Sequence, residues 1–147
     1  REKMPDIAIS TDIIVGFPGE TEEDFNDTLE LMKRVKYDMI FSFIYSPRTG
    51  TPAANMEQVP DEIKTERMNR LLALQNELLA EKNEAYVGKT MRVLVEGKSK
   101  TNEVKMSART EGNRIVIFDG DESLTGKFIN LKITKSAPFA LIGELGA

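Results

Sequence analysis

Residues 12–21 read Asp-Ile-Ile-Val-Gly-Phe-Pro-Gly-Glu-Thr, a run of branched apolar residues that stops at a Gly-Phe-Pro-Gly turn. Together with Ile7–Thr11 it reads as a strand over residues 7–16, apolar on both faces and therefore expected to be buried on both. Thr21 follows the turn and Asp24 stands three residues on, the spacing of a capping box. Acidic residues 22–24 also suit the positive end of a helix dipole. Phe25, Leu29, Met32 and Val35 then recur at helical spacing and define one apolar face. A second apolar run, Met39–Tyr45, predicts another strand. Strand, helix and strand at this spacing make a βαβ unit with parallel strands.

Residues 46–58 are rich in turn formers and lack periodicity, so they read as a loop at the carboxyl end of the second strand. Pro60-Asp61 opens a long helix expected to reach about Tyr86, with Met68, Leu71, Leu72, Leu74, Leu78 and Leu79 as its apolar face and Gly88 placed to end it. Beyond Gly88 the period changes from helical to alternating. Five short strands are predicted at residues 90–96, 103–108, 114–118, 128–134 and 139–145, separated by turns such as Glu96-Gly97-Lys98. Five short strands in roughly 60 residues point to a small closed barrel. The expected fold class is thus α+β: a βαβ piece and long helix over residues 1–86, then a five-stranded β-barrel over residues 87–147. Two parallel strands leave open edges, so the first part reads as a fragment of a larger α/β sheet.

The chain has 147 residues and neither cysteine, histidine nor tryptophan. Thiolate and imidazole metal sites, iron–sulfur ligation, thiol nucleophiles and Ser–His–Asp chemistry are therefore excluded from this chain. No apolar run approaches the roughly 18 residues of a membrane span, and a soluble, cytoplasmic protein is expected. The net charge of −4 is uneven. Residues 1–86 hold 10 basic and 17 acidic side chains, and residues 87–147 hold 10 and 7. A net −7 half and a net +3 half suggest two units with different partners, and the basic half invites nucleic acid.

In α/β folds ligands bind outside the carboxyl ends of parallel strands. Asp12 and Gly16 on the first strand, with Ser46 and Arg48 after the second, all lie there. An arginine on such a loop suits a carboxylate or phosphate. Asp12 with Glu20 is also compatible with acid–base work in an unrelated barrel enzyme. In the fourth barrel segment Ile129, Leu131 and Ile133 alternate with Phe128, Asn130 and Lys132. The first set reads as core, the second as an outer face for stacking a base beside a phosphate.

Several stretches together resemble one family: DIIVGFPGET (12–21), YSPRTGTPAA (45–54), QVPDEIK (58–64), RLLALQNE (70–77), and VGKT (87–90) followed by VLVEG (93–97). The chain resembles the carboxyl-terminal part of radical-SAM methylthiotransferases. Pro47-Arg48 and RTEGNRIVIF (109–118) are similar to the tRNA-modifying, MiaB-type branch, although Ala108 stands where that family has Gly. The resemblance implies the last piece of a TIM-like radical-SAM barrel followed by a TRAM RNA-binding barrel, OB-like in architecture. It implies a parent transferase that places a methylthio group on an isopentenylated adenosine beside the tRNA anticodon. That parent uses S-adenosylmethionine and two 4Fe-4S clusters.

Carried over residue by residue, the cofactor wall is Asp12, Ile14, Gly16, Phe43, Ser46 and Arg48. RNA contacts are expected from Lys89, Arg92, Lys98, Lys100, Arg109, Arg114, Phe128 and Lys132. The partners implied are tRNA, S-adenosylmethionine and the amino-terminal domains of the same polypeptide. No catalytic or metal-ligating residue is assigned, so the chain alone is expected to be inactive. The alternatives are a standalone RNA-binding adaptor and the related branches acting on a ribosomal protein or another tRNA adenosine.

Overall fold

In the computed structural model, which describes residues 1–146, alternation of covered and open positions makes β1 (Ser10–Val15) a one-faced strand. It pairs in parallel with β2 (Met39–Ile44), Ser10 opposite Met39 and Val15 opposite Ile44. The connection is α1 (Glu22–Val35), whose start is fixed by side chains. Asp24 N–H donates to Thr21 Oγ1 (3.1 Å) and Thr21 N–H to Asp24 Oδ2 (2.9 Å), completing the capping box. The helix stops where Lys36 turns left-handed (φ 52°) and donates its N–H to the Met32 carbonyl. Helix α2 (Asp61–Glu84) follows the loop, which contains a 3-10 turn at Pro52–Asn55. Contacts divide the chain into two units, Arg1–Leu78 and Leu79 onward.

The core of the first unit joins Val15 and Ile40 of the sheet to Phe25 and Met32 of α1 and Leu71 and Leu78 of α2. Both helices lie on one face of the sheet. The expectation that β1 is buried on both faces is corrected accordingly. Ile14, Phe41 and Phe43, which the two-residue period turns to the other side, stay about half exposed (54%, 50% and 54%). The long helix ends at Glu84, short of Tyr86, and Leu72 lies off its buried stripe. That stripe instead continues through Lys64 and Arg67, both buried.

The second unit is a closed barrel of β3 (Thr90–Lys98), β4 (Met106–Thr110), β5 (Ile115–Phe118), β6 (Phe128–Ser136) and β7 (Leu141–Leu145), in the order β3-β4-β5-β7-β6. All neighbours are antiparallel except β5 and β7. Val93, Val95, Met106, Ala108, Val116, Phe118, Leu131, Ile133 and Leu141 fill it. Five strands were expected and five are present, with three local corrections. Glu96-Gly97-Lys98 is not a turn: the register shifts between Val95 and Gly97, so the segment is a bulge inside β3. The second strand begins at Met106, because the Lys105 N–H closes a turn on the Asn102 carbonyl, leaving Val104 82% exposed. Phe139, 79% exposed, likewise precedes its strand.

The capping box yields a stability prediction. Thr21→Ala is expected to cost about 1 kcal/mol at neutral pH. The Thr21 backbone N–H holds the Asp24 carboxyl below its ordinary value of 3.8. A depressed carboxylate stabilises the fold above that value and loses its contribution as pH falls through the lower, folded value. The titrating part belongs to Asp24, so the melting gap between the parent and Asp24→Ala is expected to narrow as pH falls below 3.8. Thr21→Ala keeps the backbone N–H and does not lose its gap this way. A constant Asp24→Ala gap from about pH 7 to 3 contradicts the assignment.

Candidate cofactor wall and nucleic-acid interface

At the carboxyl end of β1, Gly16 adopts φ 79° and a Cβ there would lie 2.5 Å from Lys64 Cγ. The close approach that demands glycine is thus to the buried stem of Lys64. Gly16 N–H donates to Glu20 Oε1 (3.1 Å), and the same oxygen accepts from Arg67 Nη1 (2.8 Å). Arg67 Nη1 also donates to the Glu20 carbonyl (3.1 Å). Side chains of Arg67 and Glu20 are 6% and 12% exposed. This pairing engages the carboxylate that the acid–base reading needed. Beside it, Arg70 Nη1 lies 2.6 Å from Glu22 Oε1, and its guanidinium covers the Phe25 ring at 4.9 Å. The Arg70 bond holds the Glu22 carboxyl below its ordinary value.

Lys64 reaches the end of the second strand. Its Nζ is 3.4 Å from the Tyr45 carbonyl and 5.6 Å from the centre of the Tyr45 ring. Tyr45 meets Phe17 edge-on at 5.1 Å. These two rings, with Ile14, Phe43, Ser46 and Arg48, border a concavity of about 610 Å³ on the open side of the sheet. Its loop is shaped internally. Thr51 Oγ1 donates to the Arg48 carbonyl (2.7 Å), and Gln58 Nε2 donates to the Ala53 and Met56 carbonyls. Of the six residues expected in a cofactor wall, four border this concavity. Asp12, exposed opposite Phe41, and Gly16, buried against Lys64, do not. The arrangement suits a flat apolar group against Ile14 and Phe43, with a hydroxyl and a guanidinium for its polar part. Among the described residues, no group of three or more His, Cys, Asp or Glu side chains is placed to hold a metal ion.

On the barrel, Phe128, Asn130 and Lys132 face outward while Leu131 and Ile133 are buried and Ile129 is partly buried against the core. The register sets Arg92 opposite Asn130 and Thr90 opposite Lys132 on the neighbouring strand. Arg92 covers the Phe128 ring at 4.4 Å. Arg92, Arg109 and Phe128 border a concavity of about 260 Å³ together with Leu94, Glu96 and Glu111. The other expected contacts lie elsewhere on the unit. Lys98 pairs with Glu122 (2.9 Å), and Lys100 is exposed in the β3–β4 turn. Lys89 and Arg114 both lie over the Tyr86 ring, at 5.6 and 4.7 Å, and Arg114 Nε donates to Asn83 Oδ1. Arg114 therefore ties the end of α2 to the barrel hairpin.

Sequence reasoning missed Lys64, Arg67, Leu94 and Glu96. The available signal was Lys64, Arg67, Leu71, Leu74 and Leu78, a stripe at steps of three and four that extends the apolar face with two cations.

Comparison with known proteins adds kinship to this geometry. Residues 84–145 match the TRAM domain family. Over 99% of its length the chain is 53% identical to the tRNA-2-methylthio-N(6)-dimethylallyladenosine synthase of Acetivibrio thermocellus, of which it spans 30%. Identity to the synthase of the same name from Clostridium beijerinckii is 56%, again over 99% of the chain and 32% of that relative. The Clostridium perfringens strain 13 synthase is 53% identical, with 33% of it covered. The chain spans about a third of the length of these curated relatives. The resemblance to tRNA methylthiotransferases read from the motifs is thereby borne out.

Proposed function

We propose that the chain is the carboxyl-terminal third of a radical-SAM tRNA methylthiotransferase, and the roles of its two units proceed from that premise. The observation that carries the reading is similarity along 99% of the chain to synthases three times its length. In this reading residues 1–86 are the last βαβ piece and connecting helix of a TIM-like barrel, and residues 87–147 hold the RNA. The substrate is the isopentenylated adenosine beside the anticodon, and the setting is the cytoplasm, where tRNA is modified.

The concavity beside β2 fits one part of S-adenosylmethionine. Ile14 and Phe43 offer apolar surface for the adenine, Ser46 a hydroxyl, and Arg48 a cation for a carboxylate or phosphate. Asp12 lies on the same exposed face of β1, outside that lining, and in this reading its carboxylate accepts ribose hydroxyls. When bound, the cofactor supplies the radical and the methyl group. The chain's own residues bind and orient, and Lys64 with Arg67 keep the strand ends in place. The 4Fe-4S clusters find no ligands here, because the chain has no cysteine. They belong to the rest of the polypeptide, which is also the partner of the open sheet face.

For the barrel, the test is salt dependence. The chain is expected to retard tRNA, with affinity falling linearly in log–log form as salt rises. Lys132→Ala is expected to reduce that slope by about 1, the signature of a lost phosphate contact. Affinity unchanged between low and high salt contradicts the barrel's assignment as the RNA-holding unit.

A further inference from the structure

Leu94 is the floor of a feature that three strands build together. It stands opposite Phe128 on β6 and opposite Arg109 on β4, with its side chain outward and 36% exposed. Phe128 and Arg109 thus stand on the strands to either side of it, their backbones up to two strand spacings apart, at most roughly 10 Å, and both border the concavity over Leu94. A plane stacked on both sides needs two contacts of roughly 3.5–4 Å each, or about 7–8 Å. The volume of about 260 Å³ lies below the roughly 300–1,000 Å³ of a whole small-molecule site.

Both walls are held in place. The Arg109 guanidinium is gripped on two sides, Nε and Nη2 lying 3.0 and 3.4 Å from the two Glu96 oxygens and Nη1 donating to Asn113 Oδ1 (3.2 Å). Asn113 sits at φ 66° in the β4–β5 turn, which closes through Thr110. Arg92, 4.4 Å from the Phe128 ring centre, steadies the other wall. The charges lining the slot are Arg92 and Arg109 against Glu96 and Glu111. Two carboxylates disfavour a phosphate inside it, whereas an uncharged aromatic plane meets an aliphatic floor, a ring and a guanidinium plane.

We infer that this slot takes one unpaired nucleobase of the bound RNA, sandwiched between Phe128 and Arg109 over Leu94. Resting on the reading that the barrel holds RNA, it narrows the ligand to a single-stranded or extruded nucleotide, since bases inside a duplex are not available for stacking. Glu96 and Asn113 are positioning residues that orient the Arg109 plane.

The 147-residue chain is titrated with a single-stranded RNA of about ten nucleotides, within the usual site size, carrying one 2-aminopurine, and with the blunt duplex of the same sequence. Stacking in the slot is expected to quench the 2-aminopurine, and the single strand to bind about fivefold or more tightly than the duplex. Arg109→Lys keeps the charge and removes the plane. It is expected to weaken single-strand binding about fivefold or more, with the salt slope and duplex affinity unchanged and the melting curve showing an intact barrel. Leu94→Glu, an outward change that leaves the core alone, is expected to abolish the quench. Binding without quench or strand preference, or equal losses for both RNAs in Arg109→Lys, overturns the slot while the RNA-holding role stands. Failure to bind either RNA at low salt overturns both.

Discussion

Arg67→Ala is expected to destabilise the first unit by about 3–5 kcal/mol, the range for breaking a buried ion pair from one side. Its side chain is 6% exposed and bonds the Glu20 carboxylate, the Glu20 carbonyl and Glu22. Removing it leaves Glu20, itself 12% exposed, with a charge and no cation. The same oxygen accepts the Gly16 N–H, so the turn after β1 loosens as well. Residue-resolved hydrogen exchange separates the two units: protection of Val15 and Phe25 falls, and that of Val116 and Leu131 does not. A loss below about 1 kcal/mol assigns the pair the value of an exposed one and removes the role given to it here. Glu20→Gln combined with Arg67→Met is expected to recover part of the loss, because two uncharged groups cost less to bury than one unpaired charge.

The second large effect is on RNA. Phe128→Ala is expected to weaken tRNA binding by about 1–3 kcal/mol, roughly 5- to 150-fold. The ring is 60% exposed at the first position of β6, so its removal costs the barrel little. Its partner Arg92 loses the surface it covers but remains available to phosphates. Filter binding at fixed salt reads the change, and Phe128→Tyr, which retains the π-face, is expected to restore it. An alanine variant that binds as tightly as the parent chain removes stacking from the account.

The parts of this chain governed by short-range periodicity are legible in the sequence alone. Thr21 and Asp24 announce their box by a three-residue spacing, and Leu131 and Ile133 separate from Phe128, Asn130 and Lys132 by parity alone. What escaped reading depends on partners distant in sequence. Lys64 and Arg67 are buried because Tyr45 and Glu20 await them, 19 and 47 residues away, and charged side chains are otherwise surface residues. The slot over Leu94 needs the mutual register of three strands, and that register turns on the bulge at Gly97, whose Glu-Gly-Lys signature is the same as a turn's. Val104 shows the converse error, a β-branched residue left outside the ladder by a local Asn102 turn.

The single parallel pairing in the barrel, β5 with β7, has a consequence for synthesis on the ribosome. Residues 90–118 emerge first and can form β3, β4 and β5 by local pairing, yet Val116 on β5 has its second neighbour, Leu141, 25 positions later. β6 pairs back to β3 across the ring, and β7 alone joins β5 to β6. Closure therefore waits for Leu141–Leu145 to clear the exit tunnel, and until then Val116 and Phe118 remain exposed to chaperones.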